Sequence, residues 1–427
     1  MEQRTFPGLG ERMEHQMLEN GLDIFVFPKP GFQKCFAFFA AHYGGMDTRF
    51  CLDGQWIDSP AGVAHFLEHK MFDTEQGNAL QDLAENGASP NAFTGNSITG
   101  YYFESTQHFE ENLRTLLSFV SIPWFTQESV DKEQGIIGQE IGMIEDDPDW
   151  VVFMNLMKEL YAHHPVRASV AGTVESISHI TAQTLYTCHK AFYAPSNMVL
   201  CVAGDVDAQR VCSIAGEILP KQPGSIAQRD YGAKEPPRAV GDYVEAEMEV
   251  SAPLFQLGFK GEEELRGPKG QRQEMLGDLA CEMLLGNSTP LYAELYQKGL
   301  INQSFSYGYE SDPGCAFLMA GGESPDPKAV RQAVLEEARR LAREGLDEAL
   351  WQQVKKGVYG IKVQGLNSFE HLCINQAQDF FRGCDYLDFA ALFDQITREE
   401  VQNLLQGWVT QERCSLSVVR PRKEGGQ

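Results

Sequence analysis

The sequence predicts an α+β fold built from two similar halves, each a mostly antiparallel sheet with helices packed on one face. Three observations carry this. The order strand, helices, strands, long helices, final strand occurs twice, as an internal repeat of about 200 residues. Between the two runs, residues 219–253 are dominated by proline, glycine and charge and carry no apolar period. The apolar runs elsewhere are short, as strands require, and none is long enough to span a membrane. The expected organisation is residues 1–220 as a first half, 221–250 as a linker and 251–427 as a second half. The two halves are expected to enclose a cavity.

Along the first half, Asn20-Gly21 sits between two apolar runs and marks a hairpin. CFAFFAAHYGG (35–45) reads as a buried strand ended by glycines. Helical patterns cover 62–72, 77–87, 107–120 and 127–145, interrupted by the strand-like SPNAFTGNSITGYYFES at 89–105. A helix at 181–192 and the strand NMVLCVAGD close this half. The second half restarts with the strand PLFQLGFKG, continues through a helix at 271–285 and a helix-turn segment at 288–298, and returns to strand at SFSYGYE and CAFLMAG. Long helices and the strand CSLSVVR complete it.

Sixty acidic residues against 35 basic ones give a net charge of −25. Such a surface repels nucleic acid and anionic membranes, so neither is an expected partner. Ten cysteines form no CxxC and mostly lie in apolar runs, as in a reducing compartment. The N-terminal residues carry mixed charge and no apolar signal core, so the expected location is cytoplasmic.

Residues 63–72, VAHFLEHKMF, set His65 and His69 four apart. On a helix these positions share a face one turn apart, so both imidazoles can reach one cation. Glu68 sits beside that face, placed to act on a water rather than to compete for the metal. The pattern is H-x-x-E-H, the inverse of the H-E-x-x-H zinc motif. A plain helix with solvated histidines is the alternative, and a third protein ligand decides between them. Residues 133, 137, 140 and 144 form one helical stripe carrying Glu133, Ile137, Glu140 and Ile144. Two carboxylates on a core-facing stripe need a partner such as a metal or a protonated group, and a divalent cation held by His65 and His69 would supply one; a helix edge with solvated glutamates is the alternative.

GVAHFLEHKMF, the later NAFTGNSITGYY and the downstream E-x6-E helix resemble the pitrilysin/insulinase family of inverzincin zinc metallopeptidases. The nearest branch is that of mitochondrial processing peptidase and the bacterial two-subunit enzymes. The resemblance runs on through HHPVRASVAGTVESISHIT and FYAPSNMVLCVAGDVD, and in the second half it extends only to layout. It implies that His65, His69 and Glu140 hold one Zn²⁺ per chain, that Glu68 is the general base, and that Glu133 supports the site. It also implies a zinc endopeptidase or oligopeptidase acting on unfolded, precursor or leader peptides.

Pro90 opens a β-rich run, and proline favours edge strands. A free edge can accept an extended peptide as an added strand. The resemblance agrees, and makes Asn91, Ala92 and Phe93 substrate contacts. One feature departs from the family. Its single-chain members resemble one another in a second-half arginine and tyrosine, near L-R-x-x-x-G-L-x-Y. Here Leu295-Tyr296-Gln297-Lys298-Gly299-Leu300 keeps the frame but places Tyr296 where arginine would stand, and no arginine occurs between 273 and 329. Tyr296, Lys298 and Tyr307 are the candidate substitutes. The expected partner is a homologous companion subunit that lacks H-x-x-E-H and supplies the Arg/Tyr pair. Otherwise the chain acts alone or as a homodimer. A non-catalytic, peptide-binding or structural subunit is the rival reading.

Overall fold

The computed structural model describes residues 1–422. The chain divides into two compact units. The first comprises Met1–Ile141, Ala168–Tyr231 and Val363–Leu387, and the second Gly142–Arg167, Gly232–Lys362 and the chain from Asp388 onward. The contiguous halves read from the sequence do not anticipate this interleaving.

In the first unit, β1 (Glu2–Phe6), β2 (Glu11–Met17), β3 (Asp23–Pro28), β4 (Cys35–Ala41), β5 (Ala88–Thr94), β6 (Thr99–Ser105) and β7 (Met198–Gly204) form one sheet in the order β1-β2-β3-β7-β4-β6-β5. Only β3 and β7 run parallel. Every residue of β4 and β7 is buried, which explains their unbroken apolar sequences CFAFFAA and MVLCVAG. Alternation sends Tyr101 to one face, where Phe72 and Phe119 meet its ring edge-on at 5.9 and 5.8 Å. Tyr102 faces the other way, onto Phe36 and Phe38. A Cβ at Gly100 would lie 2.1 Å from the Phe38 ring. Glycine there lets that ring cross β6 and stack on Phe93 of β5 at 5.8 Å.

In the second unit, β8 (Tyr243–Met248), β9 (Leu254–Lys260), β10 (Ser306–Asp312), β11 (Cys315–Glu323) and β12 (Cys414–Pro421) form a sheet in the order β8-β12-β9-β11-β10. Here β8 and β12 are parallel and the remaining pairs antiparallel. That is the order and direction of β3-β7-β4-β6-β5, so the repeat is explicit in the pairing.

Each half's own helices lie on one face of its sheet. The opposite face is covered by a helix from the other half of the sequence. In the first unit this is Phe369–Arg382, whose Phe380 packs on Phe25 at 5.3 Å. In the second it is Pro148–Leu160, whose Leu156 and Leu160 occupy the space left by the missing side chain of Gly258.

Residues 221–250, expected as a linker, are exposed or half-buried at every position but Ala227, and are tied to the rest of the chain at particular residues. Gln228–Arg229 pairs with the strand Arg49–Leu52. The Arg229 guanidinium meets the fully buried Asp47 at 3.1 Å. Further on, β8 joins the second sheet. Just before it, Glu235 accepts hydrogen bonds from the backbone N–H of Ala162, His163 and His164 at 2.9, 2.5 and 2.7 Å, and from Lys260 Nζ at 2.6 Å. No helix among the described residues is long and apolar enough to cross a membrane. None of the ten cysteines forms a disulfide, and eight are buried.

Burial works against the Glu235 charge, but the Lys260 ammonium and the three backbone donors outweigh it and hold the carboxyl down to about 2. Its stabilising contribution is therefore complete above the ordinary glutamate range and is lost as pH falls towards 2. Glu235→Gln is expected to lower stability at neutral pH by on the order of 1 kcal/mol and to flatten the decline below pH ~4.5. Chemical denaturation across pH checks this; parallel wild-type and variant curves would count against it.

Candidate metal centre

The helix α1 (Val63–Met71) follows the hairpin after β4, and its start is set by backbone fit. Gly62 has φ of 92°, and a Cβ there would lie 2.5 Å from the carbonyl oxygen of Ala171. Gly172 faces the Ala61 carbonyl in the same way, also at 2.5 Å. Two glycines thus let the 168–176 loop press on the helix start, and Ser176 Oγ donates to Ala61 O at 2.8 Å. The second helix of the site, α2 (Gln127–Glu145), buries Val130, Ile137 and Ile141. Glu133 and Glu140 flank Ile137 on that side and face α1, as the stripe implies, although Ile144 is only half-buried.

His65 Nε2 lies 3.4 Å from Glu140 Oε1, and His69 Nε2 lies 3.7 Å from Glu140 Oε2. One donor atom from each of His65, His69 and Glu140 falls within 4.8 Å of the others. Ligands about 2.1 Å from a tetrahedral ion stand roughly 3.4 Å apart, so the donor set and its spacing fit a divalent metal of the zinc type. Behind these atoms, His69 Nδ1 lies 3.2 Å from Glu133 Oε1. Glu68 is 8% exposed, and Thr94 Oγ1 donates to its Oε2 at 2.9 Å.

The electrostatics suit the roles. Burial, helped by neighbouring His69, pushes the His65 imidazole down to about 4, which keeps it neutral with a lone pair to offer. Its Nδ1 is buried without a hydrogen-bond partner. The hydrogen bond to Glu133 raises His69 in spite of burial, and the same bond, with Lys70 nearby, lowers Glu133. Burial raises the Glu68 carboxyl, opposed by the Thr94 hydroxyl.

This geometry meets three comparisons with known proteins. Residues 55–174 match the model of the insulinase family, peptidase family M16, and residues 179–358 match that of the peptidase M16 inactive domain. The uncharacterized zinc protease YmfH of Bacillus subtilis is 37% identical over 97% of this chain and 98% of its own length. The chain belongs to the M16 peptidase family. The crystal structure of an M16-like peptidase from Alicyclobacillus acidocaldarius superposes with a TM-score of 0.93 at 31% identity, covering 98% of this chain and 99% of that one. Pitrilysin shares the fold, with a TM-score of 0.77 at 15% identity over 98% of this chain and 46% of its own.

In this M16 chain the strand expected to receive substrate, β5, stands at the edge of the first sheet and pairs only with β6. Its three expected contacts divide between the faces. Ala92, paired with Tyr101, lies on the same face as Thr94 and hence Glu68. Asn91 and Phe93 lie on the opposite face, where Phe93 stacks on Phe38. Asn91 also turns its Oδ1 back to accept from the Ala92 N–H at 2.9 Å, so this edge donor is satisfied internally. The second-unit candidates each have local partners and none belongs to the metal-ligand cluster. Tyr296 is 48% exposed and stacks on Tyr292 at 6.1 Å. Lys298 pairs with Glu294, and Tyr307 donates to Glu282 Oε1 at 3.2 Å.

Two residues of the site escaped the sequence reading. Thr94 was legible as the residue two beyond Ala92, hence on the same face of the strand. Lys70 had no signal beyond its place next to His69.

Replacing Thr94 by Val removes the hydrogen bond that opposes burial at Glu68, so the Glu68 carboxyl is expected to titrate at higher pH in the variant. Isotope-edited infrared titration of the metal-free chain reads this midpoint. An unchanged or lower value would contradict the assignment.

Proposed function

We propose that this chain is a zinc-dependent metallopeptidase that hydrolyses unfolded, precursor or leader peptides and is the catalytic member of a heteromeric pair. The observation that carries the reading is the convergence of His65, His69 and Glu140 beside a buried Glu68 that is tied to the edge strand through Thr94. A bound Zn²⁺ supplies Lewis-acid polarisation of the scissile carbonyl and acidifies water. Glu68, held by Thr94 Oγ1, takes a proton from the attacking water and returns it to the leaving amine nitrogen. His69 gives its Nδ1–H to Glu133, which leaves Nε2, on the side of Glu140, as the atom that would hold a bound cation. The peptide adds as a strand along residues 91–94, exchanging its carbonyl for Asn91 Oδ1 at the Ala92 N–H. Backbone pairing of this kind is indifferent to side chains, so selection by length and disorder follows.

The pairing with a companion rests on the second unit. Tyr296 occupies the position of the expected arginine, and no arginine lies between 273 and 329. A companion of the same family, lacking H-x-x-E-H but carrying the arginine and tyrosine, supplies them. Ten cysteines without a disulfide among them favour a cytoplasmic setting. The complete ligand set weighs against a purely structural subunit.

Glu68→Gln is expected to keep zinc, measured by metal analysis after dialysis, while hydrolysis of unstructured peptides falls by on the order of 10²–10⁴. Chelation should abolish activity and added zinc restore it; a fully active E68Q refutes the base. Assayed alone on a set of unstructured peptides, the purified chain is expected to turn over weakly. Full activity without any second chain would end the companion reading.

A further inference from the structure

Lys70 is the least explained charge in the molecule's first unit. It follows His69 directly, in the last turn of α1, and its side chain is only 3% exposed. Lysine is almost never buried unless paired, because its ammonium is strongly hydrated. Its flexible stem normally carries the head out to water. Here the head is held inside by two carboxylates. Asp73 pairs with it at the helix end, and Glu133 Oε2 lies 3.5 Å from its Nζ.

The Glu133 carboxylate is therefore gripped at both oxygens by consecutive residues of α1. Its Oε1 lies 3.2 Å from His69 Nδ1, and its Oε2 faces Lys70. A carboxylate fixed at one oxygen alone can rotate about its side-chain torsions and let the imidazole turn with it. Fixed at two, it sets both the tautomer and the plane of His69, whose Nε2 points to the Glu140 side of the cluster. Asp73 is the alternative reason for the lysine, but it is 37% exposed and can be solvated without help.

We propose that Lys70 is a positioning residue of the metal centre: it locks Glu133 in place, and through Glu133 it fixes His69 as a ligand and sets how tightly and in what geometry the cation is held. This rests on the metallopeptidase reading and adds a determinant to it. The test compares the wild-type chain with Lys70→Met, Lys70→Arg and Asp73→Asn. Zinc affinity is measured by competition with a chelating chromophore, and the cobalt-substituted forms are compared by visible absorption. Thermal melting of the metal-free forms reports on folding.

Lys70→Met is expected to bind zinc about 10–100-fold more weakly, with a changed cobalt spectrum. Its kcat should fall while KM stays near the wild-type value. Lys70→Arg should recover most of the affinity, and Asp73→Asn should bind like wild type. Lys70→Gln gives the same reading should the methionine variant not fold. A folded Lys70→Met with wild-type zinc affinity and an unchanged cobalt spectrum overturns the proposal. So does an Asp73→Asn variant as impaired as Lys70→Met, which would assign the lysine to the helix end. Failure of the wild-type chain itself to bind zinc would refute the metallopeptidase reading, and is thereby distinguished from failure of the role given to Lys70.

Discussion

The centre of the first unit depends on one constraint: ionisable groups have been taken out of water between two helices and an edge strand, and each must be satisfied there. Glu68, Lys70 and Glu133 are all largely withdrawn from solvent, and His65 lies deep beside them. Unpaired, each would cost several kcal/mol or change its protonation. The contacts that meet this need, at every one of these groups except His65 Nδ1, also define the site. Thr94 answers Glu68, His69 and Lys70 answer Glu133, and Glu140 faces both imidazoles. Stability and chemistry here are one arrangement.

That arrangement needs a rigid frame, and the sheets provide it through an exchange of helices. A strand such as β4, buried at every residue, is stable only if both faces are covered. The first half's own helices cover one face; the second is covered by Phe369–Arg382, drawn from near the far end of the chain. The reciprocal exchange places Pro148–Leu160 on the second sheet. Each unit's core therefore depends on a segment from the other half of the sequence. The α+β architecture and its repeat were legible because strand and helix periods are local. The exchange was not, because an amphipathic helix states that it has a buried face but not which sheet that face meets. For the same reason the segment 221–250, read as a linker from its proline, glycine and charge, gave no sign of where it is anchored. Its anchors, Arg229 on Asp47 and Glu235 on Lys260 and three N–H groups, are long-range and polar.

Site residues divide along the same line. His65, Glu68 and His69 announce themselves by spacing within one helix turn, and Glu133 and Glu140 by a stripe on another. What spacing cannot convey is which side chain from a different element completes each polar group. Thr94 lies 26 residues beyond Glu68, and Lys70 reaches Glu133 across 63 residues. On its own helix Lys70 looks like an ordinary polar residue near a C-terminus, where cations are favoured anyway. Only its burial separates the two meanings.

The two sheets finally separate scaffold from function. Both run through the same order of strands with the same directions, one parallel pair followed by three antiparallel ones. After β4 the chain builds a helix with two histidines and a buried glutamate; after β9, in the matching place, it builds Pro268–Leu285, which contains no histidine. The second helix uses the equivalent space differently, leaving Gly277 open for the Tyr309 ring. One topology thus supports the His65, His69 and Glu140 cluster in one unit, and in the other a helix whose polar groups, such as Asp278 with Lys362 and Glu282 with Tyr307, pair among themselves. Fold cannot be what confers the chemistry. In the reading proposed above, it rests on five side chains and on the two neighbours, Thr94 and Lys70, that touch them.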